Sequence, residues 1–140
     1  MGSDYEELAE HGQLTLRTTA MPADTNPNGD IFGGWLMGQM DMAGGTTAIQ
    51  RAQGRVVTVA VNAMKFHKPV YVGDEVSCYT QIERVGTSSI AVKIETGVRR
   101  MRTRELIKVT EAVFIYVAID GSGKPRPVPP EETLNQSWVI

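Results

Sequence analysis

Hydrophobic and polar positions divide the chain into a short strand, one long helix and four further strands. Between Ile31 and Gln50 the only ionisable side chain is Asp41. A helix that is apolar on every side is usually buried, so the pattern predicts a buried helix over residues 33–53. Gly54 is expected to stop this helix. The turn formers of residues 21–30 predict a loop before it.

The predicted strands differ in how many of their faces are apolar. Gln13–Thr19 forms a short first strand, and the Val-rich segment 55–66 reads as a strand with both faces at least partly covered. The next strand, which starts after residue 74, and its partner after the Gly86–Thr87 hairpin alternate apolar and polar residues, as half-buried strands do. A long final strand is predicted over residues 106–119.

This order of elements predicts an α+β architecture in which an antiparallel sheet wraps one long helix. One sheet can cover only part of a helix that is apolar all round. The remaining side of the helix, or an edge of the sheet, is therefore expected to meet another copy of the chain. We expect a homo-oligomer.

Composition narrows the class of protein. With 140 residues the chain fits a single domain over 1–140, with a core at about 13–120 and flexible N- and C-terminal tails. A net charge of −2 argues against a nucleic-acid binder, and no apolar run is long enough to predict a membrane span. Cys78 is the single cysteine. Without a disulfide framework or a signal peptide, we expect a cytoplasmic protein.

Asp41 has two interpretations. It could hydrogen-bond loop amides or a hydroxyl and hold the helix in place, or it could act as a general base or nucleophile in a dry cleft. Five glycines lie in or at the mouth of the helix, and each interior one costs about 0.5–1 kcal/mol relative to alanine. Such a cost indicates a close approach to the backbone, by a strand or by a ligand. The five are Gly33, Gly34, Gly38, Gly44 and Gly45.

Six segments carry a resemblance to a known family: residues 21–26, 28–35, 39–44, 55–61, 68–74 and 85–90. In order and spacing they resemble the hotdog-fold acyl-CoA thioesterases, specifically their YciA-type bacterial branch. The resemblance implies hydrolysis of acyl-CoA to a free acid and coenzyme A. It implies no metal and no cofactor, since coenzyme A is part of substrate and product. It also implies a homodimer as the minimum unit, with a trimer of dimers as a further option.

The resemblance also implies three catalytic roles. Asp41 would activate water or attack the carbonyl directly, Asn26 would position the water or the carbonyl, and the Gly34 N–H would donate to the oxyanion. The position of Gly34 near the positive end of the helix suits that role. Asn26 could instead form an Asx turn, and the Gly33–Gly34 pair could serve tight packing. We expect Asp30 to be the helix N-cap.

The substrate-binding residues are expected in three groups. An apolar acyl slot would include some of Trp35, Met37, Met64 and Phe66 beside Gly33, although each is commonly a core residue. Lys68 and the arginines of 99–104 could meet the phosphates of coenzyme A, or could form a solvated basic turn, and we expect His67 to lie in a loop. Gly86, Thr87 and Ser88 offer backbone N–H groups and hydroxyls. These groups could bind the pantetheine or pyrophosphate part of coenzyme A, or could simply form a hairpin.

Two functions compete with hydrolysis. A non-catalytic acyl-CoA binding or sensing module would keep the pocket and would not need Asp41. A hotdog dehydratase would be expected to show a His and acidic pair at the helix entrance, and Asp41 has no such His on its helix.

Overall fold

One long helix and five strands make up the regular structure of the part of the chain that the structure describes. The computed structural model describes residues 12–131, and the predicted flexible tails fall largely outside this range. The elements are β1 Gln13–Thr19, α1 Gly33–Ala52, β2 Val56–Phe66, β3 Glu75–Val85, β4 Ser89–Arg99 and β5 Leu106–Ala118, with a single 3-10 turn at Pro22–Asp24 before α1.

The five strands form one antiparallel sheet in the order β1-β3-β4-β5-β2. This confirms the predicted α+β architecture. One face of the sheet packs against α1, because alternate residues of the central strands point toward the helix, among them Val76, Ile94 and Phe114. The helix contributes Leu36, Met40, Ala43, Gly44, Ala48 and Ala52 to this core.

Both ends of α1 differ from expectation. The N-cap is Phe32 and no side chain within residues 12–131 caps the helix, so the prediction of Asp30 as N-cap is wrong. At the other end Gln53, not Gly54, adopts the left-handed conformation, with φ 54°. Gly54 is needed for another reason, since a Cβ there would lie 2.5 Å from Nη2 of Arg126.

Within one chain α1 is buried on one side only. Met42 and Ile49 are 54% and 48% exposed, and β2 is an edge strand in which Val57 and Val59 are 40% and 56% exposed. Every residue of β2 is half-buried or exposed in a single chain, so the two faces of this strand are at most partly covered. An open helix side and an open sheet edge are the two places where a second copy was expected to bind.

Residues 119–129 form a strap that ties the C-terminal end of α1 to the hairpin between β3 and β4. Arg126 donates from Nη2 to the carbonyl of Ala52 (2.8 Å) and from Nε to the carbonyl of Ile119 (3.1 Å). The backbone N–H of Val128 donates to the carbonyl of Thr87 (2.8 Å). A cation at the last turn of a helix satisfies free carbonyls and complements the helix dipole.

Replacing Arg126 by Met should lower the free energy of unfolding by about 1–3 kcal/mol, the usual effect of losing hydrogen bonds from a charged group. Urea unfolding of the wild type and the variant measures the difference. Lys124→Met is the matched control, because Lys124 is an exposed cation of the same strap. Equal unfolding midpoints for the two variants would contradict the capping role.

Candidate active site

A cleft of about 390 Å³ opens at the N-terminal end of α1. Its walls come from the loop before the helix, from the first turn of the helix and from the segment that follows β2. The cleft brings together four residues that the sequence singled out, Asn26, Gly33, Phe66 and Lys68. His67, which follows β2 as expected, lines it too.

Asn26 holds the loop before the helix in shape. Its Oδ1 accepts hydrogen bonds from the backbone N–H groups of Asn28 (2.9 Å) and Asp30 (3.1 Å), which is the Asx turn considered from the sequence. Because two N–H donors require the carbonyl oxygen on that side, the amide orientation is defined. The Nδ2 group is then the part of Asn26 that can donate to a molecule in the cleft.

Gly33 and Gly34 begin the helix, and Gly33 lines the cleft whereas Gly34 is not among its lining residues. A Cβ at Gly33 would contact the Phe66 ring at 3.5 Å, whereas a Cβ at Gly34 would meet open space. Backbone N–H groups in the first turn have no acceptor within the helix, and none of the described side chains caps this end. The helix start therefore offers unshielded N–H donors toward the positive end of the helix dipole.

Asp41 lies in the middle of α1 and is half-buried in the single chain, not fully buried as its surroundings in the sequence suggested. Its Oδ1 accepts hydrogen bonds from Thr58 Oγ1 of β2 (2.7 Å) and from the Tyr116 hydroxyl of β5 (3.1 Å). The hydroxyl interpretation of Asp41 is thus seen directly. Neither partner was predicted, since nothing in a single sequence pairs positions so far apart along the chain.

The structure does not bring Asp41 into the cleft of its own chain. Gly34 and Asp41 are seven residues apart, which corresponds to about 10.5 Å along the helix axis. Both lie on the same side of the helix, because seven residues are close to two full turns. Gly38 and Gly45 share this side, and a Cβ at Gly38 would also meet open space.

Comparison with known proteins identifies the family. A thioesterase superfamily model matches residues 28–96. The acyl-CoA thioester hydrolase YciA of Salmonella typhimurium is 56% identical over 121 residues, covering 84% of this chain and 91% of that protein. The chain belongs to this family of acyl-CoA thioester hydrolases.

Solved structures of relatives agree with this assignment. A hexameric broad-specificity acyl-coenzyme A thioesterase, in a mutant form with one aspartate replaced by alanine, superposes with a TM-score of 0.84 at 52% identity and covers 88% of this chain and 91% of its own. A hexameric hotdog-fold thioesterase of Campylobacter jejuni gives 0.80 at 40% identity, covering 84% and 91%. The hotdog fold implied by the sequence is confirmed.

The remaining predicted substrate residues of this thioesterase-family chain lie outside the cleft. Trp35 and Met64 are partly buried against the core. Gly86, Thr87 and Ser88 form the hairpin at the opposite end of α1, where the strap holds it; the Ser88 carbonyl accepts from the N–H of Ala118 at 2.8 Å.

No group of three or more His, Cys, Asp or Glu side chains that could hold a metal occurs within residues 12–131. None of the helices in that range has the length and apolar character to cross a bilayer.

Some arginines of the basic turn 99–104 make contacts within the chain that hold the fold together. Arg100 is paired with the buried carboxylate of Asp74, which is 2% exposed, and its guanidinium lies 4.6 Å from the centre of the Tyr71 ring. Arg99 donates to the carbonyl of Arg104 at 3.2 Å. Arg100 therefore forms a structural ion pair with Asp74 and is not free to bind the phosphates of coenzyme A.

Replacing Arg100 by Met should destabilise the fold by roughly 3 kcal/mol, because it leaves the buried Asp74 carboxylate without its cation. Chemical unfolding provides the measurement. The exposed Arg102 of the same turn is the control, and its replacement by Met should leave stability within about 0.5 kcal/mol of the wild type. Similar losses for both variants would rule out a specific role for the Asp74–Arg100 pair.

Proposed function

We propose that this chain hydrolyses acyl-CoA thioesters with Asp41 as general base or nucleophile, Asn26 as the group that positions water or the carbonyl, and the Gly34 N–H as oxyanion donor. The observation that carries the proposal is the position of Asp41, a carboxylate fixed by two hydroxyl donors on an otherwise apolar helix side beside glycine backbone. Family membership supports the reaction class.

Two routes fit this set of groups. As a general base, Asp41 takes a proton from water while the water oxygen attacks the carbonyl carbon; the C–S bond then breaks and the proton passes to the departing thiolate. As a nucleophile, Asp41 forms a mixed anhydride as the thiolate leaves, and water then cleaves the anhydride. In both routes negative charge develops on the carbonyl oxygen, where the Gly34 N–H donates. Neither route needs a metal or a cofactor.

The active site that we propose is built from two chains. A carbonyl carbon must lie within roughly 3–3.5 Å of the attacking atom while its oxygen lies about 3 Å from the donor. Gly34 and Asp41 are about 10.5 Å apart along the helix axis, which is too far for one helix to supply both groups to one thioester. A second chain related by a two-fold axis can place its Asp41 opposite the Gly34 of the first. The exposed glycine side of α1 supports such an approach.

The same two-chain arrangement would bring the Gly86–Ser88 hairpin of the partner near the cleft, although this hairpin is far from the cleft of its own chain. In an antiparallel helix pair with one Asp41 opposite the other Gly34, the partner's helix end at Ala52 lies eleven residues further on, about 16.5 Å beyond Gly34. The strap connects that helix end to the Gly86–Ser88 hairpin. A long pantetheine arm would run from the thioester toward this hairpin, and we propose that Lys68, at the cleft, meets the phosphate groups.

Assembly follows from the shared site. We propose a homodimer as the minimum unit, formed through the open side of α1 and the edge strand β2, and a trimer of dimers as the complete particle. The two solved relatives described above are hexameric, which supports the larger assembly. The buried, unpaired Cys78 suits a reducing cytoplasm.

Replacing Asp41 by Asn should lower the turnover of acyl-CoA by roughly 100-fold or more, the effect expected from losing a general base. Thiol release from acyl-CoA of several chain lengths is the assay, and circular dichroism checks the fold. Glu83→Gln, an exposed carboxylate on β3, is the control and should keep the wild-type rate. A folded Asp41→Asn variant with wild-type turnover would refute the catalytic role. Absence of hydrolysis in the wild type, with acyl-CoA still bound, would favour the binding or sensing module.

Mixing Asp41→Ala chains with Asn26→Ala chains should restore part of the activity, because half of the sites in a mixed dimer can combine an intact Asp41 with an intact Asn26. Each variant alone should be nearly inactive. Subunit exchange is verified with two affinity tags, and activity is measured on the doubly tagged fraction. No recovery in that fraction would show that Asn26 and Asp41 of the same chain serve one site.

A further inference from the structure

Tyr116 lies beneath Asp41 and was not singled out by the sequence. It is 1% exposed, its ring stacks on Phe114 with 6.4 Å between ring centres, and its hydroxyl reaches the Asp41 carboxylate from the sheet. Gly44, one helical turn after Asp41, makes room for it. A Cβ at Gly44 would overlap the Tyr116 hydroxyl and would lie 2.6 Å from Cδ1 of Ile94.

The Tyr116 hydroxyl acts as a donor. Burial, and then the charge of Asp41, raise the pKa of this phenol far above its usual range, so it keeps its proton. It lies 3.1 Å both from Oδ1 and from the backbone carbonyl of Asp41. That carbonyl, within α1, already accepts the helical bond from the N–H four residues on. The charged carboxylate is therefore the stronger acceptor for the single hydroxyl proton.

Thr58 and Tyr116 both donate to the same carboxylate oxygen. Thr58 Oγ1 approaches Oδ1 from β2, and Tyr116 approaches it from β5. No described residue donates to Oδ2. Two donors on one oxygen fix the rotation of the carboxylate and distinguish its two oxygens.

We propose that Tyr116, in the space that Gly44 leaves, is a positioning residue that fixes Oδ1 of Asp41 and thereby directs Oδ2 to the water or the thioester carbonyl. This inference rests on the proposed function of Asp41. It also explains the cost of one glycine in the helix interior: Gly44 admits the tyrosine hydroxyl and does not face a ligand.

The test removes only the hydroxyl. Tyr116→Phe should lower kcat for acyl-CoA by about 10-fold, the effect of one hydrogen bond to a charged group, with KM changed less than twofold. Tyr79→Phe is the matched control, since Tyr79 is another buried tyrosine of the sheet, 4% exposed, and its hydroxyl is hydrogen-bonded with Arg17. It should keep the wild-type kcat.

A second measurement separates positioning from mere structural support. A residue that acts through Asp41 has nothing to position once Asp41 is gone, so Tyr116→Phe should not lower the residual activity of Asp41→Ala any further. A further tenfold loss in that background would overturn the inference. So would a wild-type kcat for Tyr116→Phe when Asp41→Asn is inactive. Wild-type rates in both Tyr116→Phe and Asp41→Asn would instead refute the proposed catalytic role of Asp41.

Gly44→Ala keeps the test decisive if Tyr116→Phe does not fold. The added methyl displaces the hydroxyl while the tyrosine stays, so kcat should again fall about 10-fold with little change in KM. Gly121→Ala is its control, because Gly121 lies in the strap and a Cβ there would meet open space. Equal kcat in the two alanine variants would overturn the inference.

Discussion

The protein depends on one geometric constraint: a single sheet buries only one side of the helix that it wraps. The core side of α1 holds Leu36, Met40 and Ala43, and its close contact with the sheet is possible because Gly44 has no side chain. The other side keeps Gly34, Gly38 and Asp41 accessible. One side of this helix therefore stabilises the fold, and the other side is free for the chemistry that we propose.

Much of the architecture could be predicted because it is encoded in short-range patterns. Residue alternation identified the strands, and the uncharged stretch around Asp41 identified the helix. The errors arose where tertiary contacts override local preference. Asp30 has the chemistry of an N-cap, yet Phe32 occupies that position, and Gly54 looks like a helix stop although its small size serves the guanidinium of Arg126.

The candidate site was predicted unevenly for the same reason. Asn26, Gly33, Phe66 and Lys68 come together in one cleft, and the resemblance to a family drew attention to them. Thr58 and Tyr116 were missed because their relation to Asp41 exists only across the sheet, 17 and 75 positions away in sequence. Arg100 was overestimated, because its partner Asp74 is distant in sequence and local composition shows only a basic turn.

The open edge of β2 has a consequence for how the protein reaches its final state. Its exposed valines and unpaired backbone groups form a template that can pair with any other strand. A newly made chain therefore risks aggregation until that edge is covered, and this risk grows with its concentration and with the time spent alone. An edge that can pair with a second copy can also pair with an unrelated strand. In the assembly that we propose, rapid association of folded chains protects this edge, and variants that slow association should aggregate more even if each chain folds normally.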